Sequence, residues 1–293
     1  MLYLIGSIIL SSYLTLSFKL VEKWGLNNFQ VIVFNYITCV ITGSFVNGSF
    51  PITKEAIVEP WFGWACLMGT VFIILFNIIA FTAQKLGVAV ASVANKLSLV
   101  IPFIFSIYLY SEESTFLKIT GIVVALIAVL LTCWPSKKQE VLPQKRTSHL
   151  LFLVPVLLFL GSGLLDTMIK YVEHTFLNDN NKNDFLVTSF AAAASIGVVL
   201  LGIQFLRKKQ QFSHKAFLMG IGIGIPNYFS IWCLVQVLKQ YAANSSVVIP
   251  INNMGIVLFS TLVAWLFFKE KLSFINWAGV VLSLGAIALI TFG

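Results

Sequence analysis

Apolar residues in this chain come in long uninterrupted runs rather than in alternation with polar ones. Ten runs of about twenty residues can be marked off, at 2–20, 29–46, 61–83, 88–110, 116–134, 150–171, 185–206, 216–238, 245–268 and 273–292. At about 1.5 Å per residue, each is long enough to cross the roughly 30 Å hydrocarbon core of a bilayer as a helix. A membrane barrel would show alternating segments of about ten residues instead. In lipid, a helix satisfies every backbone hydrogen bond within its own segment. The pattern therefore predicts an all-α integral membrane protein with ten transmembrane helices. The longest polar interruption is 135–149, which carries Lys137, Lys138, Lys145 and Arg146.

Composition agrees with lipid as the solvent. The 293 residues are 58% hydrophobic and only 10% charged, whereas soluble domains run near a quarter charged. The net charge of +8 would suggest a nucleic-acid partner in a soluble chain. Here the basic residues gather in short loops, so nucleic acid is not an expected partner. With Lys96 set aside and residues at run ends counted with the adjoining loop, 13 Lys and Arg residues follow odd-numbered runs and 5 follow even-numbered ones. The positive-inside rule then puts 135–149 in the cytoplasm and both termini outside. The first run has neither a basic leading segment nor an A-x-A site, so it reads as a span and not a removable signal peptide.

The four cysteines lie within runs and form no CxxC pair, which points to packing rather than to a metal site or disulfide framework. The three histidines, His149, His174 and His214, fall between runs, and Asp166 is the one acid inside a run. No cofactor is expected. An intramembrane enzyme would need paired acids or a nucleophile with its base at mid-depth, and the sequence supplies neither.

The runs repeat. Asn95 and Asn253, Glu112 and Glu270, Phe116 and Phe274, and Gly121 and Gly279 are each 158 positions apart. Earlier in the halves the offset is 151: Ser11 with Ser162, Leu14 with Leu165, Lys19 with Lys170, Glu22 with Glu173, and Leu67-Met68-Gly69 with Leu218-Met219-Gly220. Residues 1–134 and 150–293 thus read as two five-helix repeats joined by a basic linker, 135–149. An odd number of crossings per half turns the second half over relative to the first. Such inverted-topology repeats are a mark of secondary transporters, whose sites lie near mid-depth at the repeat interface.

The segment Leu266-Phe-Phe-Lys-Glu270-Lys-Leu-Ser-Phe-Ile-Asn-Trp-Ala-Gly279-Val-Val-Leu resembles the C-terminal signature of EamA domains, and Glu112 and Gly121 repeat it in the first half. With ten spans in a five-plus-five arrangement, the whole chain resembles the drug/metabolite transporter superfamily. The resemblance implies a multi-pass inner-membrane carrier, monomeric or homodimeric. It would move a small polar metabolite, an amino acid, sugar or organic anion, by alternating access. The alternative is a membrane-embedded enzyme or a non-transporting receptor.

Lys96 is the first candidate site residue. A lysine at the centre of a membrane helix costs about 3 kcal/mol or more, so it either faces a polar cavity as the substrate's counter-charge or snorkels to an interface. It lies about 12 Å into its run, which makes snorkelling awkward. Asn95, Asn252 and Asn253 are its expected neutral partners, with Pro250 breaking the local helical ladder; the amides could equally hydrogen-bond between helices. Asn77 is a further candidate in the third run. Tyr228 and Trp232, four apart on one helical face, could stack on a flat ligand or serve packing. Asp166 reads as a coupling carboxylate or as the ion-pair partner of Lys170 one turn on. Glu112 and Glu270 read as caps at the start of the fifth and tenth helices. The Gly220-x-Gly222-x-Gly224-x-Pro226 series lacks the Lys-Ser/Thr ending of a phosphate loop and reads as a packing face with a kink.

Overall fold

The computed structural model describes residues 2–50, 52–110, 115–132, 134, 150–178, 181–240 and 245–292. Twelve helices account for nearly all of these residues, and there is no strand among them. They are α1 (Leu2–Lys23), α2 (Asn28–Asn47), α3 (Lys54–Val58), α4 (Phe62–Lys85), α5 (Val88–Leu97), α6 (Val100–Tyr110), α7 (Phe116–Thr132), α8 (Leu150–Phe176), α9 (Lys182–Leu206), α10 (His214–Gln240), α11 (Ser245–Phe267) and α12 (Phe274–Phe292). Seven stretches are long and apolar enough to cross a membrane, with α5 and α6 joined as Val88–Phe105, and three shorter apolar helices stand at the positions of the fifth, ninth and tenth runs. The all-α membrane class follows directly.

The differences from the sequence reading are local. α3 was not expected; Thr53 caps it by accepting from the Ala56 amide at 3.2 Å. His174 lies in the last turn of α8 and His214 opens α10 rather than both lying in loops. Pro250 does not break α11, and Pro226 does not end α10. The ladder is broken instead at Ser98–Leu99, between α5 and α6. Pro102 supplies the reason: it has no amide hydrogen to offer the Ser98 carbonyl, and its ring crowds that carbonyl. The Ser98 oxygen accepts from Ile101 at 2.9 Å instead, a tighter turn.

Side-chain contacts sort the helix ends into two layers. At one end Gln30 donates to Gln210 and to the Gln211 carbonyl, Asn28 and Gln84 exchange hydrogen bonds, and Lys19 pairs with Glu270. This end also carries Lys23, Lys85, Arg207, Lys208, Lys209, Lys215, Lys269 and Lys271; it is the basic end. At the other end Asn47 donates to Asp184 at 3.0 Å, and Trp61 meets Phe185 edge-on.

Small residues set the closest helix approaches. The most extensive contact is between α7 and α12. A side chain on Gly121 would run into Ile290, and one on Gly279 into Thr132. Thr132 and Ile290 stand 158 positions apart, as do the two glycines, so the seam is reciprocal. A second exchange has the same form: Gly69 of α4 seats on the Ser189 carbonyl of α9, and Gly220 of α10 seats on the Val31 carbonyl of α2. Close approach of this kind is how helices gain dispersion contact in lipid, where hydrophobic burial offers little.

Candidate functional site

The break after α5 builds the site. Lys96 and Asn95 occupy the last turn of α5, and Ser98 closes that turn by donating to the Asn95 carbonyl at 2.6 Å. The Ser98 hydroxyl also lies 3.4 Å from Asp166 Oδ2 on α8. Lys96 and Asp166, both half-buried, act on one another electrostatically. A cation, a carboxylate and a hydroxyl from two helices are therefore gathered where backbone geometry is irregular. Irregular backbone at membrane depth is tolerated where it is enclosed in protein or lines a polar cavity. Each charge offsets part of the other's cost of burial, and removing one leaves the other to bear that cost alone.

α11 crosses α5 at this level. Ser260 donates to Ser92 at 2.8 Å across the two helices. Asn95 and Lys96 follow Ser92 by one turn on α5, and Asn252 and Asn253 precede Ser260 by two turns on α11. Asn252 is 2% and Asn253 9% exposed, and the Asn252 Oδ1 has no hydrogen-bond partner among the described residues. Unpaired buried carbonyl oxygens are costly, so this one is a ready acceptor at the crossing.

The other candidates are placed differently. Asn77 donates to the Ile73 carbonyl of its own helix at 2.7 Å. Tyr228 is 2% exposed and packs where a side chain on Gly43 would meet it. Trp232 meets Tyr3 edge-on at 5.6 Å. Phe229 meets Tyr228 and Trp232 at near right angles, at 5.7 and 6.1 Å. Lys170 is exposed, and the group facing Asp166 is Lys96.

Glu270 does not cap its own helix. Ser273 and Asn276 cap α12 by exchanging bonds, Ser273 N to Asn276 Oδ1 at 3.0 Å and Asn276 N to Ser273 Oγ at 3.2 Å. Glu270 instead accepts from the Val88 amide, 3.0 Å from each oxygen, and so caps α5. Glu112 lies outside the described residues. Sequence reasoning did not single out Ser98, Ser92 or Ser260. Pro102, four residues past Ser98, is the one local sequence feature that accompanies the break.

These features define an all-α membrane protein with a half-buried lysine and aspartate gathered at a helix break. Residues 156–292, the second half of the chain, match the model of the EamA-like transporter family. The chain is 27% identical over 292 residues to an uncharacterized protein of Haemophilus influenzae (strain ATCC 51907 / DSM 11121 / KW20 / Rd), covering 97% of this chain and 95% of that one. It also superposes on a solved crystal structure with a TM-score of 0.64 at 14% identity, over 99% of this chain and 96% of that one. That likeness shows a shared fold.

Proposed function

We propose that the protein is a secondary carrier of a small polar metabolite, working by alternating access in the inner membrane with its basic end in the cytoplasm. The observation that carries this reading is the gathering of Lys96, Ser98 and Asp166 at the helix break between α5 and α6, in a chain whose second half matches the EamA-like transporter family. Contacts that exchange between the halves, Gly121 on Ile290 with Gly279 on Thr132, support an inverted repeat that can rock about its own interface.

In this reading Lys96 meets an anionic group of the substrate, and Asp166 holds the lysine when the site is empty. Asn95, Asn252 and Asn253 offer neutral hydrogen bonds, and Asn77, Tyr228 and Trp232 are outer contributors. The substrate is a water-soluble amino acid, sugar or organic anion; neither nucleic acid nor a cofactor takes part. The chain acts as a monomer or homodimer.

A thermal-shift screen of metabolites on purified protein tests the reading, because a ligand that binds the folded state raises the melting temperature by mass action. A hit should be lost in Lys96→Gln while the variant remains folded. A hit that Lys96→Gln binds with unchanged affinity would refute the assignment.

A further inference from the structure

Building on the transport reading above, we propose that Glu270 is a positioning residue for the substrate site. Its contacts with Lys19 and the start of α5 form a latch that closes the basic end. Releasing it lets α5 pivot on the Ser98–Leu99 break and opens Lys96 and Asp166 to that end.

The first argument is that the cap is imported. A helix start is ordinarily capped by a side chain from its own chain neighbourhood. The residue before α5 is Gly87, at φ +109°, and makes no side-chain cap. The cap comes from Glu270, 182 positions away, in the other half of the chain. Glycine at 87 also permits the approach, since a side chain there would stand 3.1 Å from Glu270 Oε2. An imported cap can be withdrawn without unwinding the helix it caps.

The second argument is that the cap is ionic and shielded. Lys19 Nζ lies 3.3 Å from Glu270 Oε1, and the two side chains are 17% and 10% exposed. Lys19 also donates to the Gln84 carbonyl at 3.2 Å, and Gln84 donates to the Phe18 carbonyl at 2.9 Å. The latch thus ties the ends of α1 and α4, the start of α5 and the loop after α11 into one polar knot. Charge-assisted bonds with this little water are strong enough to hold an end closed. They form and part as a unit, which a packed apolar contact does not.

The third argument is mechanical. α5 has only ten residues and is about 15 Å long. One end is held by Glu270, and the other runs into the break, with Lys96 in its last turn. A short rigid rod between a releasable clamp and a hinge transmits the state of the clamp to the lysine.

Sided thiol labelling tests this without any substrate, so its failure is separate from failure of Lys96 as the substrate's partner. Cys39, Cys66, Cys133 and Cys233 are replaced, and Ala91, buried on α5, is changed to cysteine. A membrane-impermeant maleimide is then applied to each side of sealed vesicles. Glu270→Gln and Lys19→Gln should each raise labelling from the basic end roughly tenfold, with no rise from the other end. The double variant should rise no further, because both changes release one latch. Lys19→Arg, which keeps the charge, should label as the parent does, and it carries the test together with Lys19→Gln if Glu270→Gln fails to fold. Unchanged labelling in folded single variants, or an equal rise from both ends, would overturn the proposal.

Discussion

The α7–α12 seam offers a test in which one chemical change has opposite expected signs on a single helix. Gly279 and Gly285 both lie on α12. A Cβ built on Gly279 falls 2.5 Å from the Thr132 amide nitrogen and 2.9 Å from Thr132 Cα, both backbone atoms. Neither can swing aside, so Gly279→Ala must push α7 and α12 apart. Around Gly285 nothing lies within 4 Å. Replacing glycine by alanine in a helix gains about 1 kcal/mol of propensity at either position. Overpacking a close contact costs about 1–3 kcal/mol. Gly285→Ala should therefore be neutral or stabilising by up to about 1 kcal/mol, whereas Gly279→Ala should lose up to about 2 kcal/mol. The difference between the two isolates the contact with Thr132, because propensity cancels. Reversible unfolding in mixed micelles, followed by tryptophan fluorescence, measures both. Equal stability of the two variants would show that the seam is looser than described and that the reciprocal glycine contacts do not set the helix spacing.

Other expectations follow from individual residues. Lys96→Gln should destabilise by about 1–3 kcal/mol by leaving Asp166 without its cation, and adding Asp166→Asn should recover most of that loss in a double-mutant cycle. Pro102→Ala returns an amide to the Ser98 carbonyl; the variant should unfold no more readily than the parent yet lose the substrate-induced thermal shift. Asn276 donates to the carbonyls of Leu131, Thr132 and Trp134, so Asn276→Ala should cost about 1–3 kcal/mol in the same unfolding assay. A cysteine replacing Lys138 should react with an impermeant thiol reagent only from the cytoplasmic side; reaction from outside would reverse the assigned orientation.

Much of the fold was readable because a membrane reduces the choices to one. A run such as 62–85 has no alternative to a helix in lipid, and its ends fall within two residues of the reading from hydropathy. The α7–α12 seam was readable because identical glycines recur at fixed spacing, and Gly121 and Gly279 both sit in it. What hydropathy could not show is where a helix breaks inside an apolar run. Both Pro102 and Pro250 sit in such runs, yet only the first is accompanied by a break, because that depends on what the freed carbonyl finds nearby. Lys96 stood out as a lone charge. That the charge facing it is Asp166, and that Ser98 bonds Asp166, depends on how α5 and α8 pack, and no pattern within either helix encodes it. Glu270 shows the same limit from the other side: local sequence made it a cap, but only tertiary structure says of which helix.

On the transport reading, the unequal break has a thermodynamic consequence. If the halves were perfect copies, the inward-facing and outward-facing forms would be one structure turned over, with identical energies. The repeat offset places Met254 where the first half has Lys96, and Thr15 where the second has Asp166; the ladder opposite Ser98 runs on unbroken in α11. The degeneracy is thereby lifted. The empty carrier has a preferred orientation even with no gradient across the membrane, and a substrate that engages Lys96 reorders the two forms by whatever it takes from Asp166.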